Sequence, residues 1–128
     1  MTLALRSPNE AYRRVEFDAR VSGSDPRHLT ELCYEQLIGS LGSAVFGQER
    51  GDNAAKSQAL TRALSAVTAL QLGVSGEGAT PDALRHMYEA ARRTILDSAL
   101  NFDPPKLTGL RQDFIDISRA LSSAASQT

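Results

Sequence analysis

The residues with the clearest potential for chemistry are one cysteine, Cys33, and two histidines, His28 and His86. A phosphotransfer bundle presents a reactive histidine followed closely by a lysine and a small residue, whereas Met-Tyr-Glu-Ala-Ala follows His86. A di-iron bundle requires Glu-x-x-His on two helices, but here His86 and Glu89 occur once and in the reverse order. Cys33 falls on an apolar stripe, which favours a small buried hydrophobe over a nucleophile. The sequence therefore predicts no enzyme, no metal site and no cofactor.

The composition narrows the class of protein further. The formal net charge of the 128 residues is -1 and the arginines are scattered, so no nucleic-acid footprint is visible. No apolar run approaches the roughly 20 residues that span a bilayer, and the N-terminus lacks the apolar core of a signal peptide. A single cysteine cannot form an internal disulfide and suits a reducing compartment. We expect a cytoplasmic protein that neither inserts into membranes nor binds nucleic acid.

The elements that would have to position any site are amphipathic helices, and the first is the best marked. Asp25 is a helix-capping residue, and Pro26 has its φ angle already set for the first helical position. The apolar residues that follow recur at spacings of three and four, so they share one face; they are Leu29, Leu32, Cys33, Leu37, Leu41, Ala44 and Val45. A helix of this kind needs partners that bury its stripe.

Three further helices supply those partners. Gly51 ends the first helix, and Asp52 marks the start of the second. Thr80-Pro81-Asp82 repeats the cap-and-proline pattern at the start of the third helix. Asp103-Pro104-Pro105 ends the third helix and begins the last one. The sequence predicts four helices and one domain over 1–128, with the helices at 25–50, 53–75, 81–102 and 104–124. Short loops between amphipathic helices predict an all-α protein, an antiparallel four-helix bundle.

The segment 1–24 does not fit the helical pattern as well. From Val15 to Val21 it alternates apolar and charged residues, which is typical of a strand, yet Tyr12, Val15 and Ala19 also share a helical face. A lone strand would have no partner, so we favour a short helix or an extended arm that lies on the bundle as a cap.

Several stretches, taken in order, resemble the bacterial flagellar secretion chaperone (FliS) family. Ala11-Tyr12 and Val15 resemble its N-terminal segment, and GSDPRHLTELCYEQLIGSLGSA resembles its first helix. KSQALTRALSAVTALQLGV resembles its second helix, and LRHMYEAARRTILDSALNFD resembles the Leu-Tyr-x-x-x-x-Arg-Arg-Leu pattern of the third. The similarity extends from residue 11 to about residue 121 in the same order and with nearly the same loop lengths.

The resemblance implies a chaperone without enzymatic activity. Such a protein would bind the disordered C-terminal segment of flagellin, prevent premature polymerisation in the cytosol and aid delivery to the flagellar type III export apparatus. A component of the export gate is a further candidate partner, and the resting state is left open between a monomer and a weak dimer. The alternative function is a helical-bundle adaptor or regulator that binds another folded protein through one face.

Candidate client contacts are the apolar residues that the core does not require. On the helices these residues lie off the main stripes, and they are Leu72, Leu96, Leu100 and Ile115. In the N-terminal arm they are Tyr12, Val15 and Phe17. We expect the arm to cover the client groove in the free protein, with Tyr12 and Val15 as anchors, and to be displaced when the client binds. The resemblance implies the same cap.

Overall fold

The computed structural model describes residues 25–126, which form four helices joined by short connections. We number them α1 (Pro26–Glu49), α2 (Asn53–Gly73), α3 (Ala79–Ser98) and α4 (Pro104–Ser126). The described range contains no strand, so the predicted all-α class is confirmed. Within the same range, no helix combines the length and the apolar character that a bilayer span requires.

Local capping chemistry accounts for where α1, α2 and α4 begin. A carboxylate oxygen of Asp25 accepts a hydrogen bond from the backbone N–H of His28 at 2.8 Å, and Asp52 caps α2 in the same way. Asp103 accepts from the backbone N–H of Lys106 at 3.2 Å at the start of α4. Each carboxylate satisfies an amide that has no partner inside its helix. These three helices begin within one residue of their predicted starts.

The third helix differs from its prediction at both ends. It begins at Ala79 after Gly78, so Thr80 lies inside the first turn and is not the cap. It ends at Ser98 rather than at 102, and the backbone N–H groups of Leu100 and Asn101 both turn back to the Asp97 carbonyl. The apolar spacing continued to Phe102, whose ring instead lies 5.1 Å from Nζ of Lys56 on α2. This tertiary contact and the Asp103 cap replace the last predicted turn.

The helices pack around α1 as an antiparallel bundle. α1 packs against α2 and α4, α3 packs against α2, and α3 touches α4 over only a short stretch. One end of the bundle, which we call the cavity end, brings together the first turns of α1 and α3 and the last turns of α2 and α4. The loops 50–52 and 99–103 lie at the opposite end. The two ends therefore have different neighbours and different openings.

The core is built mainly from leucine and alanine, with one aromatic layer. Leu37, Leu41 and Leu107 are fully buried, and Tyr34, Tyr88 and Phe114 pack together with ring centroids 5.7–6.3 Å apart. The face of α2 toward α1 is lined by small side chains, which let the two backbones approach closely; they are Ala59, Ala63 and Ala66. This close approach is tightest at Gly47.

We expect Gly47→Ala to lower the free energy of unfolding and Gly39→Ala to raise it. A methyl group on Gly47 would stand 3.0 Å from the backbone nitrogen of Lys56 and 3.3 Å from the Asp52 carbonyl oxygen. Overpacking costs about 1–3 kcal/mol, more than the roughly 0.5–1 kcal/mol that alanine gains over glycine inside a helix. Gly39 has nothing within 4 Å of such a methyl group. Denaturant unfolding measures both variants, and equal gains in stability would show that α1 and α2 are farther apart than described.

Candidate functional site

The three side chains with the clearest chemical potential are not brought together. His28 is exposed on α1, with Nδ1 3.4 Å from Oε2 of Glu31, and His86 is exposed on α3. Cys33 is buried, and its burial raises the pKa of the thiol. In residues 25–126 there is no group of three or more His, Cys, Asp or Glu side chains that could hold a metal ion. The cavities and exposed apolar residues of the described helices are the remaining candidates for a site.

The predicted client contacts on the helices are exposed to different degrees and lie at different places. Leu72 is 83% exposed near the cavity end, whereas Leu96 and Leu100 are 43% and 89% exposed at the opposite end. Ile115 is half-buried on α4. The structure thus does not join these four residues into one surface. The predicted cap residues Tyr12, Val15 and Phe17 lie outside the described residues.

The predicted contact Leu96 lines a concave surface. It borders a shallow groove of about 260 Å³ between α2 and α3. Leu60, Leu64 and Ile95 form its apolar floor, and Lys56 stands at one edge. We call this the α2–α3 groove. Its size is suited to one or two apolar side chains of a partner.

A larger opening lies at the cavity end, between α1, α2 and α3. This main cavity has a volume of about 340 Å³. Its lining is predominantly apolar and includes Leu29, Cys33, Leu70, Val74, Leu84 and Tyr88. Pro26, Ala69 and Pro81 also line it. Since α1 begins at Pro26, the N-terminal segment joins the bundle directly beside this cavity.

Among the described residues, the connection between α2 and α3 leaves the main cavity uncovered. Residues 74–78 read Val-Ser-Gly-Glu-Gly, so Val74 is the only large apolar side chain that this loop offers. The loop is tied down by Arg85, which donates to the Gly76 carbonyl at 2.7 Å and to Asp82 at 3.1 Å. Glycines at φ +84° and +124° make the bend at positions 76 and 78. A short, small-residue loop held in this way cannot cover the apolar ends of three helices.

A second opening lies on the other side of α1. This side cavity, about 250 Å³, lies between the first turns of α1 and the end of α4 and is lined by Arg27, Tyr34 and Leu121 among others. Thr30 lines both cavities. The first turns of α1 are therefore flanked by two openings, and a partner could contact this helix on both sides.

Two buried tyrosines connect the cavities to the core. The hydroxyls of Tyr34 and Tyr88 are 2.7 Å apart and form a hydrogen bond across the bundle. Tyr34 lines the side cavity and Tyr88 lines the main cavity, although each ring is at most 3% exposed. Burial is the largest cause of the raised pKa of both phenols. Both hydroxyls therefore keep their protons at neutral pH.

Sequence reasoning assigned the cavity lining to the core. Leu29, Leu70 and Leu84 sit on the apolar stripes, and each is buried or half-buried as that pattern predicts. The periodic pattern does not show that these apolar stripes extend past the point where neighbouring helices bury them. The available signal was the loop 74–78, which carries a single large apolar residue, Val74, beside three apolar helix ends.

Comparison with known proteins supplies the family. A family model described as Flagellar protein FliS matches residues 8–128. The Flagellar secretion chaperone FliS of Salmonella typhimurium (strain LT2) is 26% identical over 123 residues, which cover 91% of either chain. The match extends through all four helices, so the resemblance inferred from the sequence is confirmed. This chain belongs to the FliS family of flagellar proteins.

Proposed function

We propose that this protein is a cytoplasmic export chaperone that binds the C-terminal segment of flagellin. By binding that segment it would prevent premature polymerisation and aid delivery to the flagellar type III export apparatus. The observation that carries the proposal is the family match over residues 8–128, together with the name of the Salmonella relative, a flagellar secretion chaperone. The open apolar cavities support a binding role and suggest where binding occurs.

The main cavity has the properties that a disordered client needs. Its lining by Leu29, Leu70 and Leu84 is apolar and already arranged, so the protein orders little of itself on binding. Burying an apolar side chain contributes roughly 1.5–3 kcal/mol, and ordering the client consumes part of that gain. Several side chains must therefore be bound together. We place the first contact in the main cavity and a second in the α2–α3 groove beside Leu96.

The same cavity is the proposed location of the N-terminal cap. Seven residues separate Phe17 from Asp25, and an extended chain advances about 3.3 Å per residue, so the arm is long enough to reach the cavity end. Tyr12, Val15 and Phe17 would supply apolar side chains to an apolar lining. We propose that this arm covers the main cavity in the free protein and that the client displaces it.

Deletion of residues 1–17 should leave a folded bundle that binds the flagellin segment as tightly as the full chain or more tightly. A cap lowers the apparent affinity by the fraction of molecules in which the site is free, and its removal ends that competition. The shortened protein should also self-associate more readily, because it exposes an apolar cavity. Calorimetric titration and sedimentation measure the two effects.

Hydrogen exchange on the full chain distinguishes an arm that the client displaces from an arm that closes over the client. Amides of residues 10–20 should exchange faster when the client is bound, because the arm has been displaced. Slower exchange in that segment would mean that the arm closes over the client, and the displacement mechanism would be wrong.

Binding to flagellin itself tests the proposed function. The full chain, titrated with the C-terminal segment of the flagellin from the same organism, should form a complex whose bound segment protects amides in α1, α2 and α3 around the main cavity. An adaptor that recognises a folded protein would instead ignore this disordered segment. Protection confined to other surfaces would move the site away from the main cavity.

A further inference from the structure

We infer that Tyr88 is a specificity-determining residue that donates a hydrogen bond to the client. This inference rests on the proposed function, because it assigns a role within the main cavity. It narrows the preferred client segment to one that brings an apolar side chain together with an unpaired carbonyl oxygen. That oxygen belongs to the main chain or to an Asn or Gln side chain.

The tyrosine pair carries one more hydroxyl proton than its own hydrogen bond uses. Tyr34 and Tyr88 carry two hydroxyl protons, and the single hydrogen bond between their oxygens uses one of them. Among the described residues, no other side chain or backbone carbonyl accepts a hydrogen bond from either hydroxyl. The described residues therefore leave one of the two buried O–H groups without an acceptor, although every buried side-chain N or O atom among them has a partner.

The two tyrosines differ in the polarity of the cavity that each one lines. Tyr88 lines the larger, predominantly apolar main cavity, whereas Tyr34 lines the side cavity, where Arg27 and Glu31 offer polar groups of their own. A donor matters most for selectivity where other polar partners are few. Either oxygen can be the donor within the pair, so in the bound state a carbonyl in the main cavity takes the Tyr88 proton and Tyr34 donates to the Tyr88 oxygen.

The Tyr88 hydroxyl determines what an occupant of the main cavity must offer. While the main cavity is uncovered, water in it can accept the Tyr88 proton. A purely aliphatic occupant would displace that water and leave a buried donor unsatisfied, which is penalised. An occupant with a carbonyl oxygen restores the bond. A regular helix uses its carbonyls internally, so the end of a client helix or an extended segment fits this position best.

The test compares two variants that remove one oxygen atom each. Tyr88→Phe and Tyr34→Phe keep the aromatic packing against Phe114 and break the same bond between α1 and α3, so both should lose similar stability. Binding should differ between them. In the full chain, Tyr88→Phe should weaken the affinity for the flagellin C-terminal segment about 3- to 10-fold, the size of one hydrogen bond, and Tyr34→Phe should leave it within about 2-fold of the wild type. Equal effects of the two variants on affinity, or no effect of Tyr88→Phe, would overturn the inference.

A second measurement tests the Tyr88 hydroxyl as a hydrogen-bond donor without using flagellin. Acetophenone and ethylbenzene have similar shapes, but only acetophenone carries a carbonyl oxygen. Methyl NMR titrations of the full chain should show that Tyr88→Phe reduces the ratio of acetophenone to ethylbenzene affinity about 3- to 10-fold. An unchanged ratio, or binding of neither compound near Leu70 and Leu84, would overturn the inference. A reduced ratio in a protein that does not bind flagellin would uphold the Tyr88 donor and reject the proposed function.

Discussion

Leu37→Ala and Phe114→Ala should each lower the free energy of unfolding by about 2–5 kcal/mol, because each leaves a cavity in a core that cannot fully collapse around it. Leu37 is 0% exposed and Phe114 is 1% exposed. Leu37 lies at the centre of α1, which packs on two neighbours, and Phe114 packs against Tyr34 and Tyr88. Denaturant unfolding followed by circular dichroism measures both losses.

Leu72→Ala is the matched control for these core variants. The same kind of truncation at a leucine that is 83% exposed should change stability by less than about 0.5 kcal/mol. A loss below about 1 kcal/mol for Leu37→Ala or Phe114→Ala would mean that the residue does not lie in the core described here.

Ala69→Glu should weaken binding of the flagellin C-terminal segment about 10- to 100-fold, an effect of about 1.4–2.7 kcal/mol. Ala69 is exposed on α2 and lines the main cavity, so glutamate is tolerated by the fold and carries its charge to the opening. Bound client would press an apolar side chain against this carboxylate and remove part of its water, which is unfavourable. Fluorescence anisotropy with a labelled flagellin segment gives the affinity.

Ala54→Glu is the control for charge and helix position. Ala54 is also exposed on α2, but it lies in the first turn at the end of the bundle opposite to the main cavity. We expect this variant to bind like the wild type. Equal weakening by both substitutions would indicate a general electrostatic effect and would remove the main cavity from the binding site.

The helices could be predicted because hydrogen bonds between residues close in sequence mark where they begin. Asp25, Asp52 and Asp103 cap the helices that follow them by contacts only three residues away. α3 ends at Ser98, before its predicted end, and Phe102 packs beside Lys56 of α2, a contact distant in sequence that the apolar spacing does not report. Leu100, which lies off the apolar stripe, is 89% exposed in the turn after α3.

The candidate site was less accessible to sequence reasoning for a related reason. A cavity exists where no residue covers an apolar surface. The spacing of apolar residues shows only which side chains share a face of one helix. Leu70 and Leu84 therefore read as ordinary core residues, although they line the main cavity. The hydrogen bond between Tyr34 and Tyr88 joins residues 54 positions apart, and no local pattern predicts it. Leu72 and Leu96 were recognised as surplus apolar residues, but their placement at opposite ends required the structure.

The most direct test of the proposed function is a calorimetric titration of the full chain with two flagellin fragments of equal length. We predict that the C-terminal segment binds with micromolar or tighter affinity, about −8 kcal/mol or better, and that the N-terminal segment of the same flagellin does not bind measurably. Absence of binding to the C-terminal segment, or equal binding of the two segments, would contradict the proposal that this protein is a chaperone for the C-terminal segment of flagellin.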